Sequence, residues 1–265
     1  MLEAAPIQAT QLPIVSLRDR VNIFRQTVKF KWIPFRLYYR YRSYKYMKYI
    51  DLEMGLLRFL VNPGKISLDV GANLGLFTYF LAHYSKHVHA FEPNPLAFNM
   101  LKYVVDSNVT LYREAVTDRT IEVELFVPRN RKGWSNNGAS LHQPPGGQYA
   151  LIRTPGCRID DLSLSTVGFI KIDVEGHELS VLRGAVETLR RDRPTLFVES
   201  EWIHVGNDVR EVFKILSSMD YDGFFLHSNV LTNINHFSTE EHQIIPRSNP
   251  GSRKRYVKNF IFIPR

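Results

Sequence analysis

From Ile66 onward the chain alternates short apolar runs with longer segments whose apolar residues recur every three or four positions. The short runs predict strands at Ile66–Val70, His87–Phe91, Val109–Arg113, Ile121–Val127, Val167–Asp173, Thr195–Glu199, Asp222–Leu226 and Lys258–Ile263. The longer periodicity predicts a helix over Leu76–His83, entered through a glycine-containing turn. A second helix starts at Asn94 as N-cap with Pro95 in the first helical position, and carries Phe98, Leu101, Val104 and Val105 on one face. A third carries Leu179, Leu182, Val186 and Leu189. A fourth, with Val209, Val212, Leu216 and Met219, follows a capping-box pair, Asp208 and Glu211. This alternation is that of an α/β protein with one doubly wound, mostly parallel sheet. Residues Arg129 to Tyr149, rich in Gly, Asn, Pro and Ser, read as a long loop.

A chain of 265 residues suits one such domain with an appendage. Its one cysteine, Cys157, excludes an internal disulfide framework and any multi-thiolate metal site. The net charge of +8 is local: ten basic residues and one acid lie between Arg18 and Lys48, whereas the chain from Tyr49 onward holds 24 of each sign. Residues 1–49 are therefore read as an accessory segment and 50–265 as the main domain. The segment interleaves its cations with Trp32, Phe35 and six tyrosines. Either it packs as a helix on the domain, or positions 18–48 touch an anionic membrane or glycan. Met1 to Leu17 lacks the pattern of a secretory signal, and no apolar run approaches a membrane span. The expected location is the cytoplasm, with peripheral membrane association as the variant. The charge balance beyond Lys48 argues against nucleic acid, which calls for a wide cationic face.

The chemistry concentrates at three strand ends. Asp69-Val70-Gly71-Ala72-Asn73-Leu74-Gly75 joins a strand to a helix, so a ligand there meets free amides and the small residues Gly71, Ala72 and Gly75. Asp69 organises this turn or binds an ammonium. A dinucleotide would want G-x-G-x-x-G, but Asn73 and Leu76 stand at its second and third glycines. An amino-acid-like ligand suits the loop better. Glu92, about twenty residues on and at the end of the next strand, is placed to accept ribose hydroxyls. Lys171-Ile172-Asp173-Val174-Glu175-Gly176-His177-Glu178 follows a buried strand, and Glu199-Ser200-Glu201 ends a neighbouring one. Charges of both signs there must be paired or open to a cleft.

These motifs, in this order, resemble the FkbM-type family of S-adenosylmethionine-dependent methyltransferases. D-V-G-A-N-L-G at Asp69–Gly75, Phe91-Glu92-Pro93-Asn94-Pro95, Ala115-Val116, I-K-I-D-V-E-G-H-E at Ile170–Glu178, L-R-G-A at Leu182–Ala185 and the closing Tyr256–Ile263 carry the resemblance, which spans roughly residues 50 to 265. It implies a class I methyltransferase fold, with seven strands and an antiparallel last strand, and O-methylation of sugars, glycolipids, polysaccharides or natural products. It also implies that Gly71, Ala72, Asn73 and Gly75 hold the methionine part of S-adenosylmethionine, Glu92 its ribose, and Glu114 to Val116 its adenine, with Asn94 also at the cofactor. Asp173 would face cofactor or acceptor.

Methyl transfer needs alignment, a proton acceptor and exclusion of water. His177 is the expected base, with Asp173 and Glu175 beside it in the catalytic group. Trp134 would stack on a sugar ring, with Asn136, Asn137, Glu199 and Glu201 on its hydroxyls. No metal is expected; the alternative is a divalent cation on Asp173 and Glu199, helped by Glu175 and Glu201. The acceptor is a hydroxyl-bearing, carbohydrate-containing molecule. The rivals are an RNA or nucleotide methyltransferase, a dehydrogenase, and a nucleoside-binding protein without catalysis.

Overall fold

The computed structural model describes residues 7–9, 20, 21, 24, 28, 52–103, 105–131, 133–143, 146–202, 209–244 and 256–265. The basic aromatic segment at 18–48 lies outside them, four isolated positions excepted, as do Val104 and Asp208. No helix among the described residues is long and apolar enough to cross a membrane.

Five strands form the parallel part of the main sheet: β2 (Ile66–Val70), β3 (His87–Phe91), β4 (Val109–Tyr112), β9 (Val167–Ile172) and β10 (Thr195–Glu199). With β11 (Tyr221–His227), β12 (Val230–Asn233) and β13 (Asn259–Pro264), the order is β12-β11-β13-β10-β9-β2-β3-β4. Strand β13 enters between β10 and β11 and runs antiparallel to both. The seven strands expected are present, and β12 makes an eighth among the described residues. It pairs with β11 across Ser228-Asn229, both at positive φ (51° and 63°), which is the backbone of a tight two-residue hairpin.

Period-two alternation divides the core between the two faces of the sheet. Leu68, Ile170, Val198 and Phe260 lie in one buried cluster; Phe169, Phe197 and Ile261 lie in the other. Helix α1 (Leu57–Leu60) and helix α2 (Leu76–Tyr84) contribute to the second cluster through Leu57 and Leu81. Helix α3 (Pro95–Leu101) has the expected cap, the Asn94 side chain accepting from the Leu96 amide at 3.1 Å, but ends at Leu101, short of Val105. The single helix expected after β9 is two, α4 (Glu178–Arg183) and α5 (Val186–Asp192). They part at Gly184, where a Cβ would sit 2.1 Å from the Thr117 carbonyl oxygen, so only glycine lets that segment approach. Helix α6 (Arg210–Ser218) has Val209 at its N-cap without a side-chain bond; Asp208 of the expected capping-box pair with Glu211 lies outside the described residues. Short α7 (Thr239–His242) precedes the final strand.

The largest departure from the sequence reading is a second sheet. Strands β6 (Glu122–Asn130) and β8 (Gln148–Cys157) pair antiparallel over eight positions. Flanking them are β1 (Ile7–Ala9), β5 (Ala115–Val116) and β7 (Gly133–Trp134). The expected loop Arg129–Tyr149 is thus the end of β6, a hairpin into β7, and a connection pinned back to β6 by a Phe126–Ser140 bridge.

Candidate active site

The D-V-G-A-N-L-G segment turns between β2 and α2 at the carboxyl edge of the sheet. Gly71, at φ 78°, lies so close to the next strand's exit that a Cβ would stand 1.8 Å from the Asp173 carbonyl oxygen. Only glycine meets both constraints. The Gly71 and Ala72 amides both donate to the Phe91 carbonyl, at 3.0 and 2.9 Å. Asn73 and Gly75 follow at φ 50° and 82°, and the chain enters α2. A cleft of about 270 Å³ opens over this turn, lined by Gly71, Ala72, Asn73, Glu92, Ala115, Val116 and, on its far side, Asp173 and Glu199.

Glu92 closes the β3 side. One carboxylate oxygen accepts the Asn73 amide at 2.6 Å and the other the Asn94 amide at 2.8 Å. Burial pushes its pKa up to about 7, although both amides favour the charged form. Asn94, also expected at the cofactor, is fully buried and does not line the cleft: its oxygen caps α3 and its amide donates to the Ser135 carbonyl at 3.1 Å. Gly75 shapes the turn without lining the cleft.

Lys171 resolves the charge problem posed by its strand. It stands opposite Asp69 in the β2–β9 register. Its ammonium lies 3.3 Å from carboxylate oxygens of both Asp69 and Asp173 and donates to the Gly71 carbonyl at 2.7 Å. Burial opposes the charge, but Asp173, Asp69 and Glu199 outweigh it and raise the pKa, so Lys171 is a fixed cation. Asp69 also accepts from the Thr78 hydroxyl at 2.6 Å and lies wholly beneath the cleft surface. Of its two expected roles, organising the turn is the one its position serves.

The connection after β7 forms a roof tied to all three motif-bearing strand ends. Asn137 accepts from the Asn73 side-chain amide at 2.9 Å, Ser135 from Asn94, and the Ser140 hydroxyl donates to the Glu175 carbonyl at 2.9 Å. Asn136 and Asn137 line the cleft. Trp134 does not: it is 5 % exposed, beneath the Arg129 guanidinium at 5.3 Å, so the sugar-stacking role expected of it is unavailable.

His177 lines the cleft on the β5 side. Its Nε2 pairs with the Thr117 hydroxyl at 2.9 Å, and its Nδ1 is buried without a hydrogen-bond partner. Burial, then nearby His142, lowers its pKa to about 4. With neither nitrogen presented and low basicity, the base role expected of His177 does not suit its placement. Glu175, at φ 51°, lines the cleft at the turn into α4.

Beyond Asp173 the wall is built from β10 and the entry to β13. Glu199 accepts from the Lys258 ammonium at 2.7 Å, and both line the cleft. Burial, then Asp173, pushes the Glu199 pKa up to about 8. Glu201 is turned to the Tyr256 hydroxyl, outside the cleft wall, so its expected place on the acceptor is not met. Sequence reasoning missed Lys258, Thr117 and Ser140, whose roles depend on pairings distant in the chain. The one available signal was a lysine at the head of a predicted closing strand. No group of three or more metal-type side chains is assembled among the described residues. Lys171 and Lys258 already balance Asp173 and Glu199, so the donor set does not fit the alternative divalent cation.

Residues 69–222, more than half of the chain, match the family model described as the methyltransferase FkbM domain. The hexuronic acid methyltransferase AglP of Haloferax volcanii is 28% identical over 171 residues, covering 62% of this chain and 68% of that protein. The 31-O-demethyl-FK506 methyltransferase FkbM of Streptomyces tacrolimicus is 26% identical over 231 residues, covering 72% and 84%. Among solved structures, the methyltransferase FkbM of Methylobacillus flagellatus KT is similar at TM-score 0.49 and 16% identity, over 92% of this chain and 59% of that one. The strand-end cleft and the match across its motifs lead to one conclusion: the chain belongs to the FkbM family and is an S-adenosylmethionine-dependent methyltransferase.

Proposed function

We propose that this methyltransferase acts on a hydroxyl of a carbohydrate-containing acceptor. The observation that carries the reading is the cleft itself, where the glycine turn abuts Asp173 and Glu92 closes the side toward β3. Its residues fit the cofactor: Gly71, Ala72 and Asn73 line the cleft, and the Asn73 side-chain oxygen is buried without a hydrogen-bond partner. Gly71, Ala72 and Asn73 hold the methionine portion, Glu92 the ribose, and Ala115 and Val116 the adenine. When bound, S-adenosylmethionine supplies a methyl group activated by its positive sulfur. The chain's own work is to orient, to exclude water beneath the Asn136-Asn137 roof, and to take up a proton.

The carbohydrate acceptor is suggested by the relative named for hexuronic acid. The cleft lining also disfavours the rival RNA substrate, since five acids, Glu92, Glu114, Asp173, Glu175 and Glu199, face two cations, Lys171 and Lys258. Calorimetric titration with S-adenosylhomocysteine and with NAD tests the cofactor half of the reading. Binding of the former alone is expected; binding of NAD alone would return the dehydrogenase. Labelled methyl donor added to a cell extract tests the acceptor half, with label expected in glycan or glycolipid fractions. Label confined to RNA would sink it.

A further inference from the structure

The cofactor-side features of the cleft lie at the ends of β2 and β3 and against β5, so the part over β9, β10 and β13 is left to the acceptor. Three acids border that part, and they are held differently. Asp173 is drawn onto the permanently charged Lys171. Glu175 sits at the turn toward α4, where the Ser140 hydroxyl holds its carbonyl. Glu199 stands on the wall at the carboxyl end of β10, bonded to Lys258.

The antiparallel register explains that pairing. Glu199 is opposite Asn259, and the Ser200 amide donates to the Lys258 carbonyl at 2.9 Å, so the two side chains are set by the sheet. Behind them the same two strands bring Tyr256 onto Glu201. Burial and then this bond push the Tyr256 hydroxyl's pKa up, which keeps it a donor. The charged and titratable groups around Glu199 are therefore Asp173 and Lys171 from β9 and its exit, Lys258 and Tyr256 from the approach to β13, and Glu201 two residues beyond its own strand.

We infer that Glu199 is the proton acceptor of the reaction, with Lys258 as its positioning residue. This rests on the methyltransferase reading above and adds to it the group that activates the acceptor. In the step, the acceptor's O–H bond breaks and its proton passes to the Glu199 carboxylate. The oxygen's electron pair forms the new O–CH3 bond. The electrons of the broken carbon–sulfur bond stay on sulfur, which leaves as a neutral thioether. Lys258 offsets the negative charge of Glu199 before transfer and releases its hydrogen bond as the carboxyl becomes neutral. A carboxyl held near pKa 8 is matched to a hydroxyl far better than an ordinary glutamate.

The test uses the full chain, with a glycan extract and labelled methyl donor for turnover, S-adenosylhomocysteine for binding, and carbon-labelled glutamate for carboxyl titration by NMR. Glu199→Gln is expected to lower turnover by about 100-fold or more while binding S-adenosylhomocysteine as the parent does. Lys258→Met removes a cation that holds the Glu199 pKa down, so the acidic limb of the rate profile and the Glu199 carboxyl titration should both move up by about one pH unit. Turnover of Glu199→Gln within threefold of the parent, or a profile unmoved in Lys258→Met, overturns the assignment. Should the glycan extract take no label even from the parent, the acceptor reading fails separately. The carboxyl titration then decides alone: a Glu199 that titrates in the ordinary glutamate range overturns the proton role.

Discussion

The two ends of the cleft are built by different means. On the side proposed for the cofactor the main chain does the shaping: Gly71 abuts a carbonyl, two amides converge on the Phe91 oxygen, and Glu92 accepts two more. On the side proposed for the acceptor, side chains hold one another: Lys171 with Asp173, Lys258 with Glu199, Tyr256 with Glu201. The difference teaches where tolerance lies. A backbone cradle depends on local geometry, whereas a set of ion pairs depends on every strand that supplies a partner.

Removing a hub from the second arrangement should have the largest effect. Lys171→Met leaves the buried Asp69 carboxylate without its cation, at a cost of about 3–5 kcal/mol, read from denaturant unfolding. A loss below 1 kcal/mol would show that the fold does not rest on this buried pair. Gly71→Ala attacks the first arrangement. It should cost about 3 kcal/mol through strain and collision, with binding of S-adenosylhomocysteine abolished in calorimetry. Unchanged affinity there would erase the contrast between the two ends.

A third, smaller effect follows from pH. Glu92 and Glu178 are raised to about 7 and Glu199 to about 8, so the folded chain holds protons that the unfolded chain releases near 4.5. Their contribution to stability is full below that value and is lost as pH rises through 7 to 8. His89 and His177, lowered to about 4, act in the opposite sense, but only as pH falls below their unfolded value of 6.5. Between pH 6.5 and 8 the glutamates act with little opposition. The melting temperature of the ligand-free protein should fall across that window; a rise would contradict the burial assigned to these groups. Smallest is Asn137→Ala, which frees the roof from Asn73 and should weaken S-adenosylhomocysteine binding by about fivefold. Calorimetry resolves that difference, and no change would make the roof irrelevant to the cofactor.

The same contrast governs what was legible in the sequence. The glycine turn, Glu92 and the cap at Asn94 are local, and each stands where its neighbours in the chain imply. The second sheet was not legible, because β8 carries Pro155 and Gly156 in a strand defined by partners on β6 that are distant in the chain. Trp134 looked like a ligand platform only because its loop was read as exposed; pairing of β7 with β6 buries it. The Ser228-Asn229 turn was a readable hairpin signal that hydropathy alone passed over. Lys258 could be seen as a residue but not as a partner, since only the order β13-β10-β9 places it beside Glu199.

Strand β13 follows every other described element in sequence, yet it sits inside the sheet, separating β10 from β11. During synthesis β10 therefore waits with one edge unfilled while more than fifty further residues emerge. The glycine turn and Glu92 can be in place throughout that interval, but Lys258 cannot. Under the roles proposed for these residues, an unfinished chain would recognise the methyl donor before it could use it, and catalytic competence would arrive with the closing of the sheet.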